Sequence, residues 1–157
     1  MEQPIGHILS LDKNRLEHGL KWYKEEAQKL IETSDQTDPK YIDKIQFWKA
    51  IIIICDAVHT FALRYANEAE KMAATCKDEK RKAELEKISE TLKKVPWEAP
   101  SNFYEAVQSA WFMQLIYYYE SNAVAESPGR VDQKFYSYFK KDLDNGTISL
   151  EEAEDIV

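Results

Sequence analysis

The stretch from Pro39 to Cys76 constrains this chain most. It contains no glycine or proline after Pro39, and its apolar residues recur at spacings of three and four. One seam reads Ile45, Trp48, Ile52, Cys55, His59, Ala62, Ala66, Ala69 and Ala73. A second reads Phe47, Ile51, Ile54, Val58, Phe61 and Tyr65. That period predicts one long helix of about 38 residues, roughly 57 Å at the usual rise. Asp38 fits its N-cap and Pro39 its first position. A helix apolar on two faces must be covered on both. The alanines of the first seam let a neighbouring helix come close.

The other segments are shorter. A first helix is expected from Asp12 to Thr33, with Leu16, Leu20, Tyr23, Ala27 and Leu30 on one stripe. Gly19 interrupts it at a cost of about 1 kcal/mol. A third helix, Asp78 to Lys94, carries Leu85, Ile88, Leu92 and Val95 on one side and a Lys/Glu-rich solvated face on the other. A fourth follows Pro100, with Asn102 and Glu105 in capping-box spacing, and becomes apolar on all sides from Ala110 to Tyr119. The link Glu120 to Arg130 loses helical periodicity and suits a short extended segment. A short helix over Val131 to Lys141 and a last one capped by Ser149 with Glu152 complete the pattern. The expected class is mainly α, with five to six helices and at most one short strand. The sequence ends at Val157 inside helical pattern, and its helices have more apolar sides than five partners cover. Both features suggest a piece of a larger fold. The alternative is a free-standing helical module that uses the same surfaces for protein interaction or dimerisation.

Composition narrows the function. Lysine and arginine total 21 against 28 aspartates and glutamates in 157 residues, a net charge of −7 that repels phosphate backbones. No nucleic-acid partner is expected. A hydrophobic share of 44% with 12% aromatics excludes disorder for most of the chain. The longest strictly apolar run is Ala50 to Cys55, so no membrane span is expected. The first residues lack a basic-then-apolar pattern, which argues against a signal peptide. Two cysteines without CxxC spacing fit a reducing compartment, the cytoplasm.

Individual residues offer little chemistry. The Asn145–Glu152 turn imitates half an EF-hand loop, but its first and third positions would be Lys141 and Leu143. Neither coordinates calcium. His59 reads as a core histidine. His7 and His18 have no ligand partners at metal spacing, so no metal site is expected. Cys55 beside Asp56 reads as an inert structural thiol; Cys76, beside Lys77 with no paired histidine nearby, also reads as structural. No phosphate loop or nucleophile elbow is present, and no catalytic residue is assigned.

Several stretches in order nonetheless resemble one family. They are Gly6-His7-Ile8, Arg64-Tyr65-Ala66-Asn67-Glu68-Ala69, Val95-Pro96, and Asn102-Phe103-Tyr104-Glu105-Ala106-Val107-Gln108. Glu120-Ser121-Asn122, Ser127-Pro128-Gly129-Arg130-Val131-Asp132-Gln133 and Asp142-Leu143-Asp144-Asn145-Gly146-Thr147-Ile148-Ser149 follow. Together they resemble the glycyl radical enzymes, in the pyruvate formate-lyase domain. The resemblance implies that residues 1–157 are a partial domain from its first half. It implies a helical segment of a ten-stranded α/β barrel, whose rest covers the apolar helices.

In such enzymes a glycyl radical, installed by a radical SAM activating enzyme, oxidises a loop cysteine to a thiyl that abstracts hydrogen from substrate. Neither the radical glycine nor the cysteine loop can be placed in this sequence. The segment alone should therefore bind no cofactor and be inactive. The full protein would be an anaerobic, cytoplasmic lyase or acyltransferase breaking C–C or C–X bonds, formate-lyase-like or decarboxylase-like. Its partners would be the remaining barrel, the activating enzyme and, in a homodimer, a second copy. The resemblance places Asn122, Val124 and Ala125 at the substrate pocket and makes Gly129 and Arg130 a structural turn. Where diol dehydratases commonly carry Gly-His-Ser, this chain has Ala123-Val124-Ala125. Methyl and isopropyl groups cannot hold a substrate hydroxyl. The departure favours the formate-lyase branch or one acting on an apolar or aromatic acid.

Overall fold

The computed structural model describes residues 5–9, 13–121 and 124–157. In chain order they form β1 (Ile5–Leu9), α1 (Lys13–Thr33), α2 (Tyr41–Thr75), α3 (Glu79–Lys94), α4 (Phe103–Ser121), β2 (Val124–Ser127), α5 (Val131–Asp144) and α6 (Leu150–Ile156). The mainly helical class with six helices matches the periodicity. At 35 residues α2 is the longest element, about 52 Å. Strand content exceeds the expected single strand by one. The extended segment after α4 is β2, and it pairs in parallel with β1. Ile5 lies opposite Val124 and Leu9 opposite Ser127, with an irregularity between Ile5 and Ile8. Gly6-His7-Ile8 thus lies within a strand that alternation alone did not reveal.

The chain divides into two compact units, one of His18–Glu98 and one of the chain up to Glu17 and from Ala99 on. In the first, α2 packs along α3. The buried seam of α2 is Ile45, Cys55, Val58, Ala62, Ala66, Ala69 and Ala73. Ala62 and Ala66 are fully buried, and Ala69 and Ala73 form a cluster with Leu85 of α3. This is the alanine-rich seam read from the sequence, with Trp48, Ile52 and His59 only partly buried and Val58 added from the other. The second seam is largely open, with Phe47 at 58%, Ile54 at 59% and Tyr65 at 42% exposure. Ile42 and Ile53, on another side of the helix, are exposed as well. By length and composition α2 qualifies as a membrane-crossing helix, which the short strict run Ala50–Cys55 conceals. One of its polar residues, Asp56, pairs with Lys24 of α1 at 2.7 Å.

Two helix starts differ from expectation. Asp38 does not cap α2; its carboxylate accepts from Lys40 N at 2.7 Å within a turn, and the helix begins at Tyr41. Pro39 therefore closes that turn rather than opening the helix. The long helix α1 is also broken. Gly19 sits at φ 73°, ψ 173°, a region essentially confined to glycine. Beyond it, the N–H groups of Leu20 and Lys21 would be orphans of a new helix start. They donate to the carbonyls of Pro96 and Trp97 at 3.0 and 2.9 Å. Before it, the Leu16 carbonyl accepts from the Tyr138 hydroxyl at 3.0 Å.

Candidate functional site

The segment singled out for substrate lies between α4 and α5. Asn122 lies outside the described residues. Val124 and Ala125 belong to β2, so their backbone is extended. The turn that follows is built locally. Gly129 has φ 73°, which a side chain would strain. Its N–H donates to Ser127 Oγ at 3.2 Å. Arg130 then grips Asp132 with two bonds, Nε to Oδ1 at 3.1 Å and Nη2 to Oδ2 at 2.8 Å. Hydrogen bonding to Arg130 holds the Asp132 carboxyl below its usual range and pushes the guanidinium up. Both groups are exposed. The pair therefore shapes the turn and contributes little to stability. Asp132 also sits in the first turn of α5, where its charge suits the helix dipole.

The far ends of α4 and α5 are tied together. The Asp142 carboxylate, 8% exposed, accepts from Phe103 N at 2.7 Å. Phe103 is the first residue of α4, so this is an orphan donor satisfied from another helix. The Phe103 ring meets Phe139 and Phe135 of α5 edge-on, at 5.5 and 6.3 Å between centroids. Lys141 Nζ donates to Ser101 O at 3.1 Å. The Asp142 carbonyl in turn accepts from Thr147 N and Gly146 N donates to Leu143 O, a Schellman closure of α5 with Gly146 at φ 66°. Nothing in the sequence gives Asp142 a role of its own. Its only sequence signal was a carboxylate within an otherwise amphipathic helix.

Capping at α4 and α6 uses the residues the sequence marks. Asn102 Oδ1 accepts from Glu105 N at 2.9 Å, while the Glu105 carboxylate turns to Ser101 N and Oγ instead of completing the box at Asn102. Ser149 and Glu152 form the full reciprocal box on α6. The apolar run of α4 is buried on one face only. Phe112 and Met113 are covered, whereas Trp111, Tyr118 and Tyr119 are exposed at 62%, 48% and 66%. Trp111, Tyr104 and Val107 line an open groove of about 380 Å³ with Ile156 and Val157.

The remaining candidate residues are structural. Cys55 is buried, and burial, then the Asp56 charge, push its thiol up while Lys24 opposes them. His59 is half-buried and stacks on Trp97 at 4.2 Å, and Lys24 Nζ lies 5.7 Å from the Trp97 ring. Among the described residues, no group of three or more His, Cys, Asp or Glu could hold a metal ion.

Comparison with known proteins places this geometry. The pyruvate formate lyase-like family model matches residues 1–157. The isethionate sulfite-lyase of Oleidesulfovibrio alaskensis is 40% identical over 144 residues, covering 90% of this chain and 17% of that protein. The indoleacetate decarboxylase of Tractidigestivibacter scatoligenes is 37% identical over 139 residues, covering 88% of this chain and 16% of the relative. The crystal structure of a glycyl radical enzyme from Archaeoglobus fulgidus superposes with a TM-score of 0.89 at 37% identity, over 98% of this chain and 20% of that one. The chain thus spans less than a fifth of the length of these curated relatives.

Proposed function

The chain belongs to the pyruvate formate lyase-like family of glycyl radical enzymes, and from that premise we propose that it supplies one section of the barrel wall in a longer radical lyase. The observation that carries this is the β1–β2 pair. Parallel strands need long crossovers and occur in sheets covered on both faces. Here the crossover holds α1 to α4, and among the described residues the sheet has two strands. Further strands beside β1 or β2 complete such a sheet, and helices of the same protein cover the open face of α2. A free-standing interaction module also explains the open α2 face, but gives no reason for a two-stranded parallel sheet.

The residues here do not supply the family's radical chemistry. Cys55 is buried in a helix with its thiol pushed up, the opposite of a loop cysteine poised for oxidation. No reaction step is assigned to this chain, and alone it is inactive. The radical glycine, the reacting cysteine and the docking of a radical SAM activating enzyme belong to the rest of the polypeptide. The whole protein works in the anaerobic cytoplasm, where a second copy of itself is one candidate partner.

Within it, Asn122, Val124 and Ala125 line the substrate side, and Gly129 with Arg130 holds the turn behind them. The Ala-Val-Ala sequence favours an apolar or aromatic acid over a polyol. The similarity to an isethionate sulfite-lyase and an indoleacetate decarboxylase supports a lyase over an acyltransferase. A chimaera tests the assignment. Residues 1–157 replace the matching segment of the isethionate sulfite-lyase, which is then activated anaerobically. A glycyl radical signal by electron paramagnetic resonance is expected in the chimaera and not in the segment deletion. Equal failure of both would reject the barrel-wall role.

A further inference from the structure

We propose that Asp142 is a positioning residue: by holding the first N–H of α4, its carboxylate sets where β2 lies between α4 and α5. Three observations carry it. First, α4, β2 and α5 form a closed circuit: α4 runs into β2, the Gly129 turn leads into α5, and Asp142 at the end of α5 returns to the start of α4. Second, the closing bond is short and buried, 2.7 Å at 8% exposure. A charged acceptor at a helix N-terminus also gains from the helix dipole. Third, one residue serves both helices, because its carbonyl closes the C-terminus of α5 through Thr147 N and Oγ1 at 2.9 and 3.0 Å.

The circuit makes a remote bond matter. With 19 residues, α4 is about 28 Å long, so a tilt of about 5° at its start moves the β2 end by about 2 Å. The edge-on contacts of Phe103 with Phe135 and Phe139 restrain the same end, but rings slide where a hydrogen bond to one atom does not. For its functional meaning the proposal rests on the reading of β2 as a substrate wall. Its geometry does not depend on that reading.

Hydrogen exchange on the 157-residue chain, followed by mass spectrometry, tests it with Asp142→Ala and Asp142→Asn. In Asp142→Ala, exchange over Val124–Ser127 and the first turn of α4 should rise about tenfold, with α2 and α3 unchanged. In Asp142→Asn, which keeps a neutral acceptor, the rise should be a few-fold and confined to the same two places. Unchanged β2 exchange in either variant overturns the proposal. An equal rise through α6 also overturns it, since that is general loosening. Should Asp142→Ala fail to fold, Asp142→Asn decides alone by the same criteria. The substrate-wall reading fails separately, if Val124→Asp leaves turnover of the longer enzyme intact while the exchange result stands.

Discussion

Trp97 lies face to face with His59, ring centroids 4.2 Å apart and planes within 8°. Burial depresses the His59 pKa below its ordinary 6.5; Asp56 opposes this and Lys24 adds to it. The folded chain therefore takes up the His59 proton less readily than the unfolded chain does. The stability this gives is present above pH 6.5 and is lost as pH falls from 6.5 through the lower folded value. An NMR titration should place the His59 midpoint below 6.5. The urea midpoint should fall between pH 7.5 and pH 5, and His59→Phe, which keeps a ring on Trp97, should reduce that fall. A His59 midpoint above 6.5 would contradict the packing argument.

The two cysteines should differ sharply in reactivity. Only the thiolate attacks, and burial followed by the Asp56 charge disfavours it at Cys55. Cys76 closes the C-terminal end of α2 and is only partly covered. A disulfide reagent at pH 8 should label one thiol per chain quickly, with peptide mapping placing it at Cys76. The second should react only in denaturant. Early labelling of Cys55 would mean that the α2 seam opens far more readily than its packing implies.

Gly19 and Gly146 should differ in sensitivity to alanine. At Gly146 a Cβ meets nothing within 4 Å, so only the φ of +66° resists substitution. Gly146→Ala should lose about 1 kcal/mol. Gly19 combines φ 73° with ψ 173°, and alanine there should lose about 1–3 kcal/mol. Urea denaturation of both variants gives the ranking. A smaller loss at Gly19 would mean that α1 straightens and gives up its bonds to Pro96 and Trp97.

What the sequence made legible was local. Capping residues act within three or four positions, so Asn102 and Ser149 announce their helices without any knowledge of the fold. The alanine seam is legible for the same reason, because helical period alone gathers Ala62, Ala66, Ala69 and Ala73 on one line. Gly19 misled because its break is stabilised by carbonyls more than seventy residues away, at Pro96 and Trp97. Asp142 was unreadable for a similar reason, since its partner N–H at Phe103 lies 39 positions off. Strand β1 was missed because Ile5-Gly6-His7-Ile8-Leu9 is too short to show alternation and is defined only by its pairing with β2. The capping expected of Asp38 failed more simply: a nearer N–H, that of Lys40, claimed its carboxylate.

Val124 of β2 bears on whether this strand borders substrate in the longer enzyme. Helical apolar spacing stops at Tyr119, and the backbone at Val124–Ser127 is extended. Ala123-Val124-Ala125 offers no charge to solvate and no hydroxyl partner. On the proposed reading, that segment borders a cavity that substrate fills. A carboxylate placed there by Val124→Asp then lies in space that water occupies in the empty enzyme, so the fold tolerates it. Substrate must displace that water and leave the carboxylate desolvated, which costs several kcal/mol when it stays charged. For an apolar or acidic substrate kcat/KM should therefore fall at least about a hundredfold, mainly through a raised KM, corresponding to about 2.7 kcal/mol or more. The melting temperature should shift by no more than a few degrees, and the conservative Val124→Ala should retain most activity. If instead Val124 packs in a closed core, the buried charge destabilises the fold, and activity and melting temperature fall together. If it faces solvent, neither changes. Steady-state kinetics and calorimetry on the same three proteins separate the cases, and only the first leaves β2 as a wall of the substrate site.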